Sequence, residues 1–445
     1  MSGINDHLSD VTGNNYIDSG LYGKYNVKRG LRNIDGTGVL VGLTRIGDVH
    51  GYIMDEGEKV PVEGKLYYRG IDVEDIVAGA AAEGRFGFEE TVYLLMFGCL
   101  PSKVQLDNFC ALMGEDRVLP NNFAEDSIMK APSRDIMNKL GRSVLTLYSY
   151  DDDPDNQSPE NVLRQCIELI ARFPTIVAYS YMAKKHYYDH ESLIIHLPAS
   201  SCQCAETILS LIRPDQQFTR FEAEILDLAL ILHAEHGGGN NSTFAVHLVS
   251  SADTDTYAAI TAGIGSLKGF KHGGANIKVR GMMGDIKEHV KNWRDEGEVA
   301  DYLEKILKGE AYDGSGLIYG QGHAVYTKSD PRAVLLRDKA ALLAEEKRLS
   351  DEYNLYRLIE KLTPGVFKKV KGSDKDICSN VDFYSGFIYK MLGIPRELYT
   401  PLFAVSRVAG WCAHRMEEII SGGRIIRPAY KCVQRRVGYS PLAAR

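Results

Sequence analysis

No stretch of the 445 residues approaches the roughly 20 apolar positions that a membrane-spanning helix needs. The nearest, Ile225-Leu-Asp-Leu-Ala-Leu-Ile-Leu232 ahead of His233, is too short and reads as a buried helix. The opening MSGINDHLSDVTGNN has neither the basic start nor the apolar middle of a signal peptide, so a cytoplasmic location is expected. Cysteine is sparse. The eight residues, at positions 99, 110, 166, 202, 204, 378, 412 and 432, form no CxxC pair and no zinc-finger spacing. That excludes a disulfide scaffold and predicts reduced, mostly buried thiols. There is no long basic run, and 52 Lys and Arg against 59 Asp and Glu leave a net charge of −7. Neither nucleic acid nor an anionic membrane is therefore an expected partner, and any anion must be gripped locally. Internal repeats and low-complexity tracts are also missing, so domain boundaries are not marked by linkers.

What is present is an ordinary globular composition, 44% hydrophobic and 25% charged, long enough for two or three domains. Between Gly36 and Gly70 the chain is rich in β-branched and aromatic residues with glycine breaks, which predicts a few short strands. Helical spacing dominates afterwards. Phe88 to Phe97 stops at Gly98, and Phe221 to His236 is apolar on nearly all sides before three glycines. Val279, Met282, Met283 and Ile286 make a helical stripe, as do Leu402, Val405, Ala409, Ala413, Met416 and Ile420 before Gly422. Asp330-Pro331 supplies a cap and a first-turn proline for another helix. The expected fold is mainly α, with a few short N-terminal β-strands.

Four polar segments break this helical text. In His233-Ala-Glu235-His236-Gly-Gly-Gly-Asn240, two histidines three apart share a helix face; they suit a metal pair, a structural role, or an anion held at a helix end. Gly269-Phe-Lys-His272-Gly-Gly-Ala-Asn276 places one histidine among small residues at a helix start, where the positive helix end disfavours imidazolium. A neutral His272 can donate one hydrogen bond to a carbonyl. Gly320-Gln-Gly322-His323 runs on to Asp330-Pro-Arg332, a glycine loop followed by a guanidinium in the first turn of a capped helix, which suits an anion clamp. Asp382 opens an apolar helix, and Arg407 lies in the apolar Phe403-Ala-Val-Ser-Arg-Val-Ala-Gly-Trp-Cys-Ala413. A lone buried guanidinium is costly, so a carboxylate partner for Arg407 is expected.

These segments, in this order and at these separations, resemble citrate synthase. The resemblance rests on His233-Ala-Glu-His236, Lys271-His272-Gly-Gly-Ala-Asn276, Gly322-His323-Ala-Val, Asp330-Pro-Arg332, Asn380-Val-Asp382-Phe-Tyr-Ser-Gly386, Ser406-Arg407 and Arg427-Pro428. It covers the last three-quarters of the chain; weaker similarity reaches Leu66-Tyr-Tyr-Arg-Gly-Ile-Asp72, and residues before about 35 carry none. It implies a homodimer whose large domain, residues 1–275 and 383–445, is closed by a small domain, residues 276–382. It implies condensation of acetyl-CoA with oxaloacetate, followed by hydrolysis of citryl-CoA. Carried over residue by residue, Asp382 is the base for the acetyl methyl, His272 the donor to the thioester carbonyl, and His323 the group that polarises the ketone. His236, Arg332 and Arg407 match the grip on the dicarboxylate, and Arg427 the arginine supplied to the neighbouring subunit.

The coenzyme A thioester is then a co-substrate, and neither a cofactor nor a metal is expected. The backbone of Leu317, Gly320 and Gly322 matches the adenine-binding loop. Ala324 and Thr327 stand where many relatives carry an arginine, so Lys328 or the run Lys368, Lys369, Lys371 is the candidate for phosphate contacts. No match to the extra N-terminal domain of the hexameric, NADH-inhibited type is visible. Three rival readings remain at this stage: a 2-methylcitrate synthase using propionyl-CoA, a metal-dependent hydrolase built on His233, Glu235, His236 and His247, and a catalytically silent paralogue.

Overall fold

The computed structural model describes residues 12, 15–33, 36–56, 58–373 and 376–444. The chain divides into two units, Met1–Leu43 with Ile426–Arg445, and Thr44–Ile425. In the first, a short helix Gly20–Lys24 and a 3-10 turn Arg29–Leu31 precede an isolated bridge between Arg32 and Gly38. Lys24 and Lys431 both lie over the Tyr25 ring.

The second unit begins with the expected strands. β1 (Gly47–Asp55) pairs antiparallel with β2 (Glu58–Tyr68), with a register shift between His50 and Tyr52, and β3 (Ile71–Asp72) adds to β2. Among the described residues, the regular elements after that are helices, apart from an isolated bridge between Gln321 and Ser379. Helices start where the side-chain chemistry says they should: Ser102 with Gln105 and Thr219 with Glu222 form capping boxes, and Ser158 caps a helix whose first residue is Pro159. The Pro159–Asp189 and Tyr399–Ser421 helices pack on each other, and Trp411, Cys412 and Cys166 are fully buried there. Tyr399–Ser421 ends on Gly422 in the left-handed conformation. Among the described residues no helix is long and apolar enough to cross a membrane.

Two expectations need adjustment. The apolar helix runs from Arg220 to His233, three residues short of His236. Its end is fixed from outside: the Tyr68 hydroxyl donates to the Ile231 carbonyl at 2.9 Å, and Glu235 turns back to accept from the Gly237 amide at 2.5 Å. His236 therefore sits on a loop, with Gly237 at φ +82°. The thiols are all free as expected, but only Cys166, Cys204 and Cys412 are buried, while Cys99 and Cys432 are exposed.

The hairpin matters because it carries the His323 loop. A Cβ on Gly51 would lie 2.8 Å from the Val325 carbonyl, and one on Gly64 would run into the Ser329 carbonyl and lie 2.6 Å from the Tyr326 ring. The Gly64 amide donates to Ser329 Oγ at 3.1 Å, and the Tyr326 hydroxyl reaches the Lys65 carbonyl at 3.3 Å. Backbone thus seats directly on backbone. Gly64→Ala should cost about 1–3 kcal/mol by overpacking and displace the loop. A lower urea midpoint with reduced activity is expected; an unchanged midpoint would show that the loop yields freely.

Candidate active site

Five chain segments that are far apart in sequence, around His236, His272, His323 to Arg332, Asp382 and Arg407, act on one another's charges. The Tyr399–Ser421 helix contributes Arg407, which is fully buried. Its Nε donates to the His233 carbonyl at 2.7 Å, while Nη1 and Nη2 are buried and find no acceptor in the chain. The carboxylate partner expected for it is not there: Glu235 and Asp382 act on it through space, and no carboxylate accepts a hydrogen bond from it. Burial pushes its pKa down to about 10, so it stays charged at neutral pH. A charged fork with two unmet donor groups in a dry site is built for an anion.

Arg332 is also buried, but its charge is matched. Asp330, the cap of the Pro331–Glu346 helix, takes its Nε at 3.0 Å and its Nη2 at 2.8 Å, and also accepts from the Arg332 amide. Asp330 therefore orients the guanidinium and takes up the Arg332 amide at the start of the helix. Sequence reasoning saw Asp330 as a cap and missed this second role. The signal was present: an Asp two residues before an Arg at a helix start can reach it only by folding back.

The loop Gly320–Ser329 is stitched to the segment that leads into Asp382. The Gly322 amide donates to the Cys378 carbonyl at 2.7 Å, Asn380 N donates to the Gly320 carbonyl at 2.9 Å, and Asn380 Nδ2 donates to the Gly322 carbonyl at 2.9 Å. Gly320 and Gly322 have φ of +80° and +86°, and a Cβ on Gly320 would lie 2.8 Å from the Phe383 ring. These glycines thus hold His323 beside the Val381–Met391 helix, whatever else they touch. Asn380 caps that helix by accepting from the Asp382 amide at 3.0 Å.

His323 has a defined tautomer. The Val325 and Tyr326 amides both donate to its Nδ1, each at 3.1 Å, so the ring proton is on Nε2. Its ring lies 5.2 Å from that of His236 and 4.8 Å from that of Tyr326, between centroids. His236 Nε2 is buried without a hydrogen-bond partner. Burial, Arg332, His323, Arg407 and His272 together hold His236 far below the usual imidazole pKa, which places these groups in one electrostatic neighbourhood. His272 lies in the turn before the Ala275–His289 helix, with Nε2 3.1 Å from Ser242 Oγ. Its pKa falls to about 4, because of burial first and Arg407 second rather than the helix end invoked from sequence. Asp382 is raised to about 6 by burial, with Arg332 and Arg407 pulling the other way.

Arg427 is exposed and belongs to the first unit. Leu317 and Lys328 are exposed, Lys369 pairs with Glu304, and Lys371 donates to the Leu307 carbonyl at 2.9 Å. Ser242 and Trp411 went unnoticed in the sequence, yet Trp411 Nε1 donates to Ser242 Oγ at 3.1 Å behind His272. His233 stacks on Phe403 with both ring nitrogens unpartnered, and no metal group forms around His233 and His236 among the described residues.

Asp330→Ala should strand the Arg332 charge in the interior and cost about 3–5 kcal/mol of stability. Urea unfolding measures it, and a loss below about 1 kcal/mol would mean that another acceptor replaces Asp330.

Neutral imidazoles, one raised carboxylate and two buried guanidinium groups on a helical scaffold suit the binding of a small carboxylate. A family profile described as "Citrate synthase, C-terminal domain" matches residues 33–429. The chain belongs to the citrate synthase family. It is 32% identical over 424 residues to a citrate synthase from Haloferax volcanii, covering 94% of this chain and 99% of that one. It is equally, 32%, identical over 368 residues to a 2-methylcitrate synthase from Shewanella oneidensis, covering 82% of this chain and 87% of that one. Among solved structures, the citrate synthase from Thermoplasma acidophilum, solved as a ternary complex with carboxymethyl coenzyme A and oxaloacetate, superposes with a TM-score of 0.74 at 26% identity, covering 94% of this chain and 99% of that one.

Proposed function

We propose that this protein condenses acetyl-CoA with oxaloacetate and hydrolyses the citryl thioester to citrate and CoA. The observation that carries this reading is the pair of buried guanidinium groups acting on one half-buried carboxylate, Asp382. Oxaloacetate is a dianion with a ketone between its carboxylates. Arg407 offers two unmet donor groups to one carboxylate, and Asp330, which takes Nε and Nη2 of Arg332, leaves Nη1 for the other. His236, neutral and with an unpartnered Nε2, adds a hydrogen bond without adding charge.

The thioester methyl is a very weak acid, so proton removal needs base and oxyanion donor at once. Asp382 is the base. Its raised pKa makes it a stronger base than an ordinary carboxylate while leaving it mostly ionised above pH 6. His272 is the donor to the thioester carbonyl. The single Ser242 hydroxyl proton is shared between Asn240 Oδ1 at 2.9 Å and His272 Nε2 at 3.1 Å. When it goes to His272, the ring proton must be on Nδ1, which then hydrogen-bonds the developing enolate. His323, held as the Nε2–H tautomer, polarises the ketone and receives the alkoxide charge as the carbon–carbon bond forms.

Residues 276–382 act as the small domain that closes over this cleft, and excluding water strengthens each of these interactions. The adenine-side contacts fall to the Leu317–Gly322 loop, with Lys328 for the phosphates. The protein works as a homodimer, with Arg427 serving the neighbouring subunit; its exposure in the single chain supports this. Free thiols throughout fit a cytoplasmic location.

Thiol release from acetyl-CoA with oxaloacetate tests the reaction, and kcat/KM should favour acetyl-CoA over propionyl-CoA; the reverse preference would make it a 2-methylcitrate synthase. One methylene changes such a preference by about 10–200-fold, so some turnover of both is expected. Asp382→Asn should lower kcat by about 10²–10⁴-fold with oxaloacetate binding largely kept, and equal loss of both contradicts the role. Since the ionised carboxylate is the active form, kcat/KM should fall tenfold per pH unit below about 6. Arg427→Ala should weaken oxaloacetate binding, and its mixed dimer with Asp382→Asn should regain activity; verified mixed dimers without activity would remove the cross-subunit role.

A further inference from the structure

A second histidine pair lies between the Asn241–Ser250 and Tyr399–Ser421 helices, outside the reaction groups. His414 is fully buried and points Nε2 at Glu235 Oε1, 3.0 Å away. His247 points Nδ1 at Glu418 Oε2, 3.2 Å away. An ionised carboxylate only accepts hydrogen bonds, so each fixes its imidazole's proton on the nitrogen it touches. The two remaining nitrogens, His414 Nδ1 and His247 Nε2, then confront each other at 3.0 Å with lone pairs and no hydrogen between them. Two neutral rings held in this way repel; a cation between them removes the conflict.

A third donor is at hand. Glu417 Oε2 is buried, accepts no hydrogen bond, and lies 3.8 Å from His414 Nδ1, while the other oxygen of Glu417 accepts from the Arg45 amide at 2.7 Å. The three donor atoms fall within 4.8 Å of one another. Two metal–nitrogen bonds of roughly 2.0–2.1 Å at a tetrahedral angle put the nitrogens about 3.3 Å apart, a few tenths of an ångström from what is found. Carboxylates behind each histidine, as Glu235 and Glu418 are here, are the usual outer shell of a histidine-bound metal. Gly238 keeps one side of the pair clear of any side chain; a Cβ there would sit 3.7 Å from His247 Nε2.

We propose that His247 Nε2, His414 Nδ1 and Glu417 Oε2 form a binding site for a divalent transition-metal cation of the zinc class, oriented by Glu235 and Glu418. The site is not part of the condensation chemistry. It ties the helix that carries Arg407 to the helix that carries Ser242 and to the loop of Glu235 and His236, so an occupied site braces three walls of the cleft.

The test uses the full chain, stripped with chelator and titrated with Zn²⁺ in competition with a chromophoric chelator, and separately with Co²⁺. One equivalent per chain should bind with Kd below about 10 μM. The cobalt form should show visible d–d bands without thiolate charge-transfer absorption, and Zn²⁺ should raise Tm by a few degrees. His247→Gln should weaken binding at least 100-fold while retaining citrate formation in metal-free buffer, which confirms that it folds. Glu417→Gln, at least 10-fold weaker, serves if His247→Gln does not fold. Binding weaker than about 10 μM means that the pair shares only a proton and overturns the proposal. So does unchanged affinity in the variants, or a thiolate band, which would place the metal on cysteine.

Discussion

The candidate site answers to one constraint: two buried guanidinium groups act on the same carboxylate, Asp382, and only one of them has a carboxylate partner of its own. Arg332 is balanced by Asp330, which holds it by two atoms. Arg407 has its Nε on a backbone carbonyl and both terminal nitrogens unmet. A buried charge left in that state destabilises the fold, and the remedy that suits an enzyme is a ligand of opposite charge. In the proposed function, that unmet demand is what oxaloacetate answers.

The same charges set the state of the neighbouring titratable groups. Positive potential and burial together keep His272 and His236 neutral, so each can hydrogen-bond without bringing a second charge to a cleft already holding two. Burial raises Asp382, and the two arginines limit how far, which leaves it a base near neutrality instead of a permanently protonated acid. The tautomer of His323 is dictated by two backbone amides. In the proposed mechanism, base and donors are distinguished by surroundings more than by residue type.

Much of this was readable from residue order. Helix starts at Asp330 and ends at Gly98 and Gly422 follow local rules of capping and left-handed glycine, and the short strands before Gly70 follow from β-branched and aromatic content. The end of the Arg220–His233 helix did not follow, because the Tyr68 hydroxyl that helps to close it comes from a strand more than 160 residues earlier. The carboxylate expected beside Arg407 from the cost of burying charge is not found; its Nε meets the His233 carbonyl and both terminal nitrogens stay unmet, which no local rule predicts. Asp330 was legible as a cap but not as the holder of Arg332, since that depends on a side chain folding back within its own turn.

The sequence by itself determined the mainly helical class, the placing of caps and breaks, and which His, Asp and Arg stand next to glycine, because those follow from contacts within a few residues. Tertiary structure alone decided that Ser242 and Trp411 stand behind His272, that the Gly320–Gly322 loop is laced to Asn380, and that His247 meets His414. Those pairs are 30 to 169 residues apart. No local rule reaches that far; only the packing of helices settles which side chains share a space of low dielectric, and there hydrogen bonds and charges gain the strength that makes them chemistry.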